Sequence, residues 1–228
     1  MPNLFITSTG TEIGKTLVTA ALCHQLRRQG ETVTALKPII SGVDQNTMAE
    51  SDTGVIAKAL GLPLTEEVIN QISPFRYKAP LAPTMAAEKE GKTLDYDAVI
   101  ARCQQAMKAE GFTLIEGVGG SFVPLTDDKL VADWIKDLGL KSILVAGSYL
   151  GTMSHIIATL EAMQARGLDV IGIVISESPE GDIFANPDLE KTAWEIEKLT
   201  KLPVSTIPRI SDEDAWREVP PLLQLLKI

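Results

Sequence analysis

Residues 7–16 read TSTGTEIGKT, between an apolar LFI at 4–6 and LVTAALCHQL from residue 17. A short buried strand over 4–7 therefore runs into a loop, and the loop into a helix predicted over 15–29. That helix places Leu17, Ala20, Ala21, Leu22 and Leu26 on one face and stops at Gly30. Gly14-Lys15-Thr16 ends the loop in the manner of a phosphate-binding P-loop, G-x-x-x-x-G-K-[ST], in its required strand-to-helix context. The pattern asks for glycine at position 9, where this chain has Thr9, and a glycine follows one residue late as Gly10. If the backbone must turn left-handed there, Gly10 is expected to take up that role.

The rest of the chain repeats the strand–helix alternation. Strands are predicted over 32–36, 112–115, 142–146, 170–175 and 204–207, and helices over 51–60, 95–110, 130–138, 152–166 and 189–200. Residues 41–50 read as a polar loop, and 73–84, with three prolines, cannot be a regular helix. The strands are near-continuous apolar runs, as in VIGIVIS at 170–176, which indicates a parallel sheet covered by helices on both faces. One doubly wound α/β domain over residues 1–228, P-loop NTPase-like, is the expected architecture. Such sheets bind ligands at the carboxyl ends of their strands. Thr7, Ser8, Lys37, Glu116 and Ser176 stand at those ends and are expected to converge on one cleft.

Composition narrows the function. The 228 residues carry a formal net charge of -9, which gives no general attraction for nucleic acid or an anionic membrane. A phosphate ligand must then be held locally. The N-terminus has no basic run followed by a long apolar one, and no apolar stretch approaches the ~18 residues of a membrane span. The two cysteines, Cys23 and Cys103, have no C-x-x-C partners and read as reduced thiols of a cytoplasmic protein.

Several residues could carry chemistry. Lys15 would reach the β- and γ-phosphates of a nucleotide, and the Thr16 hydroxyl would ligate Mg²⁺. Lys37 is held at a strand end by Pro38, and two lysines around one anion would stabilise charge developing in a transition state. Alone, such a lysine is ordinarily solvated surface. Ser41 and Gly42 add a hydroxyl and a flexible loop. Asp52 sits at a helix start, where it could cap the helix or bind metal. Glu116 ends an apolar strand about 100 residues after the P-loop, as a Walker-B carboxylate does. Gly117, Gly119 and Gly120 allow close backbone approach to a ligand, and the helix start at Gly151-Thr152 could hold a carboxylate. His24, His155, Trp134, Trp194 and Trp216 fall at helical positions and read as structural.

The segments TSTGTEIGKT, ALKPIISG, ESDTG, LIEGVGGSFVPL, VADW and SYLGTMSH, in this order, resemble the dethiobiotin synthetases of biotin biosynthesis, nearly to residue 210. The resemblance implies an ATP- and Mg²⁺-dependent ring closure. CO₂ or bicarbonate would add to one amine of 7,8-diaminopelargonic acid as a carbamate. The carbamate would attack the γ-phosphorus of ATP to give a carbamic–phosphoric anhydride, and the second amine would close the cyclic urea. By the same resemblance Lys37, Lys15 and Thr11 are catalytic, and Thr16, Asp52 and Glu116 hold metal. Glu12, Ile13, Gly14, Leu17, Gly117, Val118 and Gly119 join them at the nucleotide, with Ser176, Glu177, Pro208, Arg209 and Ile210 near its base. Ser41, Leu150, Gly151, Thr152 and Met153 contact the substrate, the last four across a homodimer interface.

Two features depart from that family. Its loop commonly reads G-T-D-T-x-V-G-K-T, where this chain has Ser8 for the first glycine and Gly10 for the aspartate. Some members carry Asn-Asp where this chain has Ser176-Glu177, and a serine cannot offer the paired donor and acceptor of an amide to a base. The competing reading is a P-loop ATPase of the partitioning or septum-positioning kind, an interaction switch rather than a synthetase. Those usually carry a lysine early in the loop, where this chain has Gly10.

Overall fold

Leu4 and Ile6 point to one side of the first strand and Phe5 to the other, and all three are buried. A strand apolar on both faces needs cover on both, and the computed structural model, which describes residues 3–44, 46–178 and 188–226, supplies it. The strands are β1 (Asn3–Ser8), β2 (Val33–Leu36), β3 (Ile39–Ser41), β4 (Phe75–Tyr77), β5 (Phe112–Glu116), β6 (Lys141–Gly147), β7 (Val170–Ser176) and β8 (Val204–Ile207). The helices are α1 (Lys15–Arg28), α2 (Asp52–Leu60), α3 (Glu66–Ile72), α4 (Pro83–Lys89), α5 (Tyr96–Ala106), α6 (Val131–Leu138), α7 (Thr152–Ala165) and α8 (Leu189–Thr200).

Six strands form one sheet in the order β2-β5-β1-β6-β7-β8, and every pairing in it is parallel. The apolar faces of α1, α2 and α3 pack on one side with Leu4, Ile6, Val145 and Val174. Those of α5, α6, α7 and α8 pack on the other with Phe5, Leu144 and Ile173. Cys23 lies in the first layer and Cys103 in the second, so the sheet separates the two free thiols. Burial pushes both up to about 12, as inert core thiols. Trp134 is fully buried edge-on to Phe5, with centroids 4.9 Å apart, and Trp216 is buried against His24. Trp194 departs from its expected packing role. It is 57% exposed, with Lys198 over its ring, because it lies on the outer face of α8.

The pieces missed by periodicity lie between β2 and β5. Helix α3 is short, capped by Thr65, whose side chain accepts from Val68 N. The proline-rich stretch 73–84 does hold no full helix, but it contains β4 and the start of α4. Pro83 stands in the first turn of α4, where its missing N–H costs nothing. β4 pairs in parallel with β3 to make a second, two-stranded sheet beside the main one. The 41–50 loop accordingly begins inside β3 and ends in a single 3-10 turn, Met48–Glu50. Among the described residues no helix is long and apolar enough to cross a membrane.

Candidate active site

The loop between β1 and α1 turns left-handed twice, at Glu12 (φ 57°) and at Gly14 (φ 98°). Gly10 does not, and a Cβ built on it would meet only Ile13 Cδ1 at 4.0 Å. The expectation that Gly10 replaces a glycine at position 9 therefore fails. The turn is made farther along, and neither Thr9 nor Gly10 needs a left-handed backbone. Ser8, in the place of the family's first glycine, has its own role. Its Oγ accepts from Lys15 Nζ at 3.1 Å and shares its proton between Gly10 O at 2.6 Å and Gly119 O at 2.9 Å. It thereby ties the P-loop to the glycine-rich turn after β5. Ser121 reinforces this tie, donating its backbone N–H to Ser8 O at 2.8 Å and pairing its hydroxyl with Thr7 Oγ1 at 2.9 Å.

Beside the loop lies a charge cluster in which Lys37 and Glu116 are buried and the Asp52 side chain is 39% exposed. Lys37 follows β2, Glu116 ends β5, and Asp52 opens α2. Helix α2 is capped by Ser51, whose side chain accepts from Gly54 N, so the Asp52 carboxylate is released from capping. Lys37 Nζ stands 2.6 Å from Glu116 Oε1 and 2.7 Å from Asp52 Oδ2, and Thr16 Oγ1 donates to the same Glu116 Oε1 at 2.7 Å. The Lys37 side chain is 6% exposed and that of Glu116 0%, which settles both against a solvated surface role. Burial works to lower the Lys37 pKa, but Glu116 and Asp52 outweigh it and hold the ammonium above the ordinary lysine value. Burial likewise opposes the Asp52 charge, and Lys37 overrides it, so Asp52 lies below the usual carboxylate range. Lys15 forms no ion pair with them, and burial, with Lys37 nearby, outweighs the pull of Glu116 and Asp52 and lowers it to about 8.

One atom of this cluster is left over. Glu116 Oε2 is buried and accepts no hydrogen bond. A buried, unsatisfied carboxylate oxygen beside a serviceable hydroxyl and a second carboxylate is a hard-oxygen donor set, which is what Mg²⁺ takes. Thr16, Asp52 and Glu116 thus fit a magnesium ion. Among the described residues no group of three or more His, Cys, Asp and Glu side chains could hold a metal, but Mg²⁺ needs only one or two carboxylates.

The cluster opens into a cleft of about 670 Å³. Thr11, Glu12, Ile13, Gly14, Lys15, Thr16 and Leu17 form one wall, Lys37, Ser41 and Asp52 a second, and Val118 and Gly119 a third. Glu116 and Gly117 do not line it, and Glu116 is fully buried. An apolar wall of Ile40, Pro80, Leu81, Ala82, Pro83 and Val123 completes it, and sequence reading missed these residues. Ile40 comes from β3, Pro80–Pro83 from the turn into α4 and Val123 from the loop after β5, stretches without apolar periodicity. The P-L-A-P run itself was the available signal.

The remaining expected residues lie outside this cleft. Ser176 backs the P-loop, its Oγ 2.9 Å from where a Cβ on Gly14 would stand. Glu177 Oε2 accepts from Arg209 N at 2.6 Å, and Glu177 N donates to Ile207 O, so 177 and 207–209 make a second patch at the ends of β7 and β8. Pro208 is exposed, and Ile210 packs partly into the core. At the start of α7, Gly151 is left-handed (φ 97°), Thr152 Oγ1 donates to Gly147 O, and Leu150 is 75% exposed. Met153 packs partly against the core, and His155 Nδ1 engages Tyr149 Oη at 2.8 Å.

An all-parallel sheet whose first strand and helix are joined by a loop ending in G-K-T defines a P-loop nucleotide-binding protein. Solved structures agree on the fold. The MinC:MinD cell division protein complex of Aquifex aeolicus matches at a TM-score of 0.57 with 13% identity, covering 100% of this chain and 89% of that one. A ParA family ATPase from Chlorobium tepidum matches at 0.56 with 15% identity, covering 99% and 93%. Residues 2–215 match the family described as AAA domain. Closer relatives are found by sequence. The ATP-dependent dethiobiotin synthetase BioD of Caulobacter vibrioides is 45% identical over 194 residues, 84% of this chain and 85% of its own. Those of Caulobacter sp. strain K31 and Bacillus subtilis strain 168 are 43% and 35% identical, over 94% and 90% of this chain and 91% and 85% of their own lengths. The chain belongs to the dethiobiotin synthetase family, and it is an enzyme of the cyclo-ligase class.

Proposed function

We propose that this chain uses ATP and Mg²⁺ to join CO₂ to 7,8-diaminopelargonic acid and close the cyclic urea dethiobiotin, releasing ADP and phosphate. The relatives' name supplies ATP and dethiobiotin, and one observation in the site supports the reading: two buried lysines, Lys15 and Lys37, line a single cleft at the P-loop. The chemistry must bring a carbamate against the γ-phosphate of ATP, two anions that repel. Lys15 would sit at the phosphates and Lys37 between carbamate and γ-phosphate, both with little water to screen them. Thr11 and the backbone of residues 12–17 would cradle the phosphates at the helix start.

The steps balance without a protein nucleophile. One amine takes up CO₂ and loses a proton to form the carbamate, and a carbamate oxygen bonds to the γ-phosphorus as the bond to ADP breaks. The second amine then attacks the carbamoyl carbon and loses a proton, and phosphate leaves with that oxygen. Mg²⁺, held by Thr16, Asp52 and Glu116, would neutralise phosphate charge. Ser41 and the apolar wall at Pro80–Pro83 would receive the diamine and its aliphatic chain. The start of α7 would hold the substrate carboxylate from a second copy of the chain, a reading supported by Leu150, exposed beside an uncapped helix end. A sedimentation mass of one chain would contradict that pairing.

The test is reconstitution with diamine, bicarbonate, Mg²⁺ and ATP. Phosphate release should track dethiobiotin formation and stop when the diamine is omitted. ATP turnover indifferent to the diamine would overturn the synthetase reading in favour of an ATP-driven interaction switch.

A further inference from the structure

The Asp52–Glu116 pair already holds a cation. Lys37 Nζ bridges the two carboxylates at 2.7 and 2.6 Å from a position that is almost fully buried. We propose that Lys37 is a resident counter-ion that holds the place of the divalent metal, so that metal and the Lys37 ammonium compete for the same two carboxylates. The inference rests on reading the cleft as an ATP- and metal-binding site, and it adds a rule for when that site accepts metal.

Charge makes the competition necessary. In their ordinary ionised forms Lys15 and Lys37 supply two positive charges and the ion-paired Asp52 and Glu116 two negative ones, so the cluster is balanced as it stands. A divalent ion entering alone would leave the partly buried cluster with an uncompensated double positive charge. It would also have to share Glu116 Oε1 with two donors, Thr16 Oγ1 and Lys37 Nζ. The buried, unpartnered Glu116 Oε2 is an acceptor that Lys37 leaves free. A nucleotide changes the balance. Its phosphates bring the negative charge that the metal needs, and they offer Lys37 another anion in the same cleft. Metal alone should therefore bind poorly and metal with nucleotide well, and the metal's arrival should release Lys37 toward the phosphates and the carbamate. On this account Lys37 is delivered to the reacting anions only when the metal is in place.

Mn²⁺ binding measured by electron paramagnetic resonance, with no nucleotide present, tests this without relying on turnover. Lys37→Met removes the competing charge at similar length, and Lys37→Arg keeps it. Lys37→Met should bind Mn²⁺ at least about ten-fold more tightly than the wild type, the effect of removing a buried like charge, while Lys37→Arg should stay close to the wild type. Equal, weaker or unmeasurable Mn²⁺ binding by a folded Lys37→Met overturns the proposal. Should Lys37→Met fail to fold, a structure of the wild type with Mn²⁺ decides. Lys37 Nζ out of reach of Glu116 supports competition, and a bound ion with both Lys37 contacts intact overturns it. Tighter Mn²⁺ binding by the variant in a protein that ignores the diamine would refute the proposed reaction and leave the competition standing.

Discussion

The loops entering α1 and α7 are built alike and surrounded differently. Each leaves a neighbouring strand of the sheet, β1 or β6, and enters a helix through a left-handed glycine, Gly14 at φ 98° or Gly151 at φ 97°, with no side-chain cap. Each thus exposes the N–H groups of a helix start to an anion. Around Gly14 the space is full. Ser176 presses on it, Lys15 and Lys37 line the same cleft, and Glu116 is buried beside Thr16. Around Gly151 a Cβ would find nothing within 4 Å, and the adjoining Leu150 is exposed. The backbone device is shared. The first copy has the buried Lys15 and Lys37 in its cleft and is proposed as the phosphate site, and a second chain is proposed to complete the other.

Removing what the first loop has and the second lacks should produce the largest effect. Lys37→Ala should lower diamine-dependent turnover well over about ten-fold, the loss expected for a group that stabilises transition-state charge. It should also cost about 3–5 kcal/mol of stability, because two carboxylates lose their cation. Urea unfolding and turnover measured on the same preparation separate the two losses. Near-wild-type turnover would take Lys37 out of the mechanism.

A glycine series tests the surroundings of the two loops. Gly151→Ala should cost only the left-handed strain, about 1–2 kcal/mol. Gly14→Ala should cost more, because its Cβ would stand 2.9 Å from Ser176 Oγ, and it should lose nucleotide binding as the loop shifts. Gly10→Ala should stay within about 0.5 kcal/mol, as an unstrained surface substitution does. Thermal melts and nucleotide titration read all three variants, and equal costs at Gly14 and Gly151 would erase the distinction drawn between the loops.

The difference between the loops also marks how far sequence reaches. The parallel sheet was legible because buried parallel strands are written as apolar runs. Lys37, Glu116 and Asp52 were legible because charge at the end of such a run, or at a helix start, is conspicuous. Their meeting was not written locally: it follows from β2 and β1 both flanking β5, a pairing made by residues far apart in the chain. The release of Asp52 from capping depends on a hydrogen bond made by Ser51. The apolar wall at Pro80–Pro83 had no period to announce it, since it is the turn between a two-stranded sheet and a short helix started by proline. Thr9 and Gly10 misled because a consensus spacing was read as a backbone requirement, while the left-handed turns fall at Glu12 and Gly14.

The cleft is proposed to phosphorylate a carbamate rather than to hydrolyse ATP with water. Bicarbonate labelled with oxygen-18, supplied fresh with ATP, Mg²⁺ and the diamine, tests it in a single turnover. The account predicts inorganic phosphate carrying one labelled oxygen, because the oxygen that attacks the γ-phosphorus leaves with it when the ring closes. Unlabelled phosphate, released while the bicarbonate remains labelled, would contradict it.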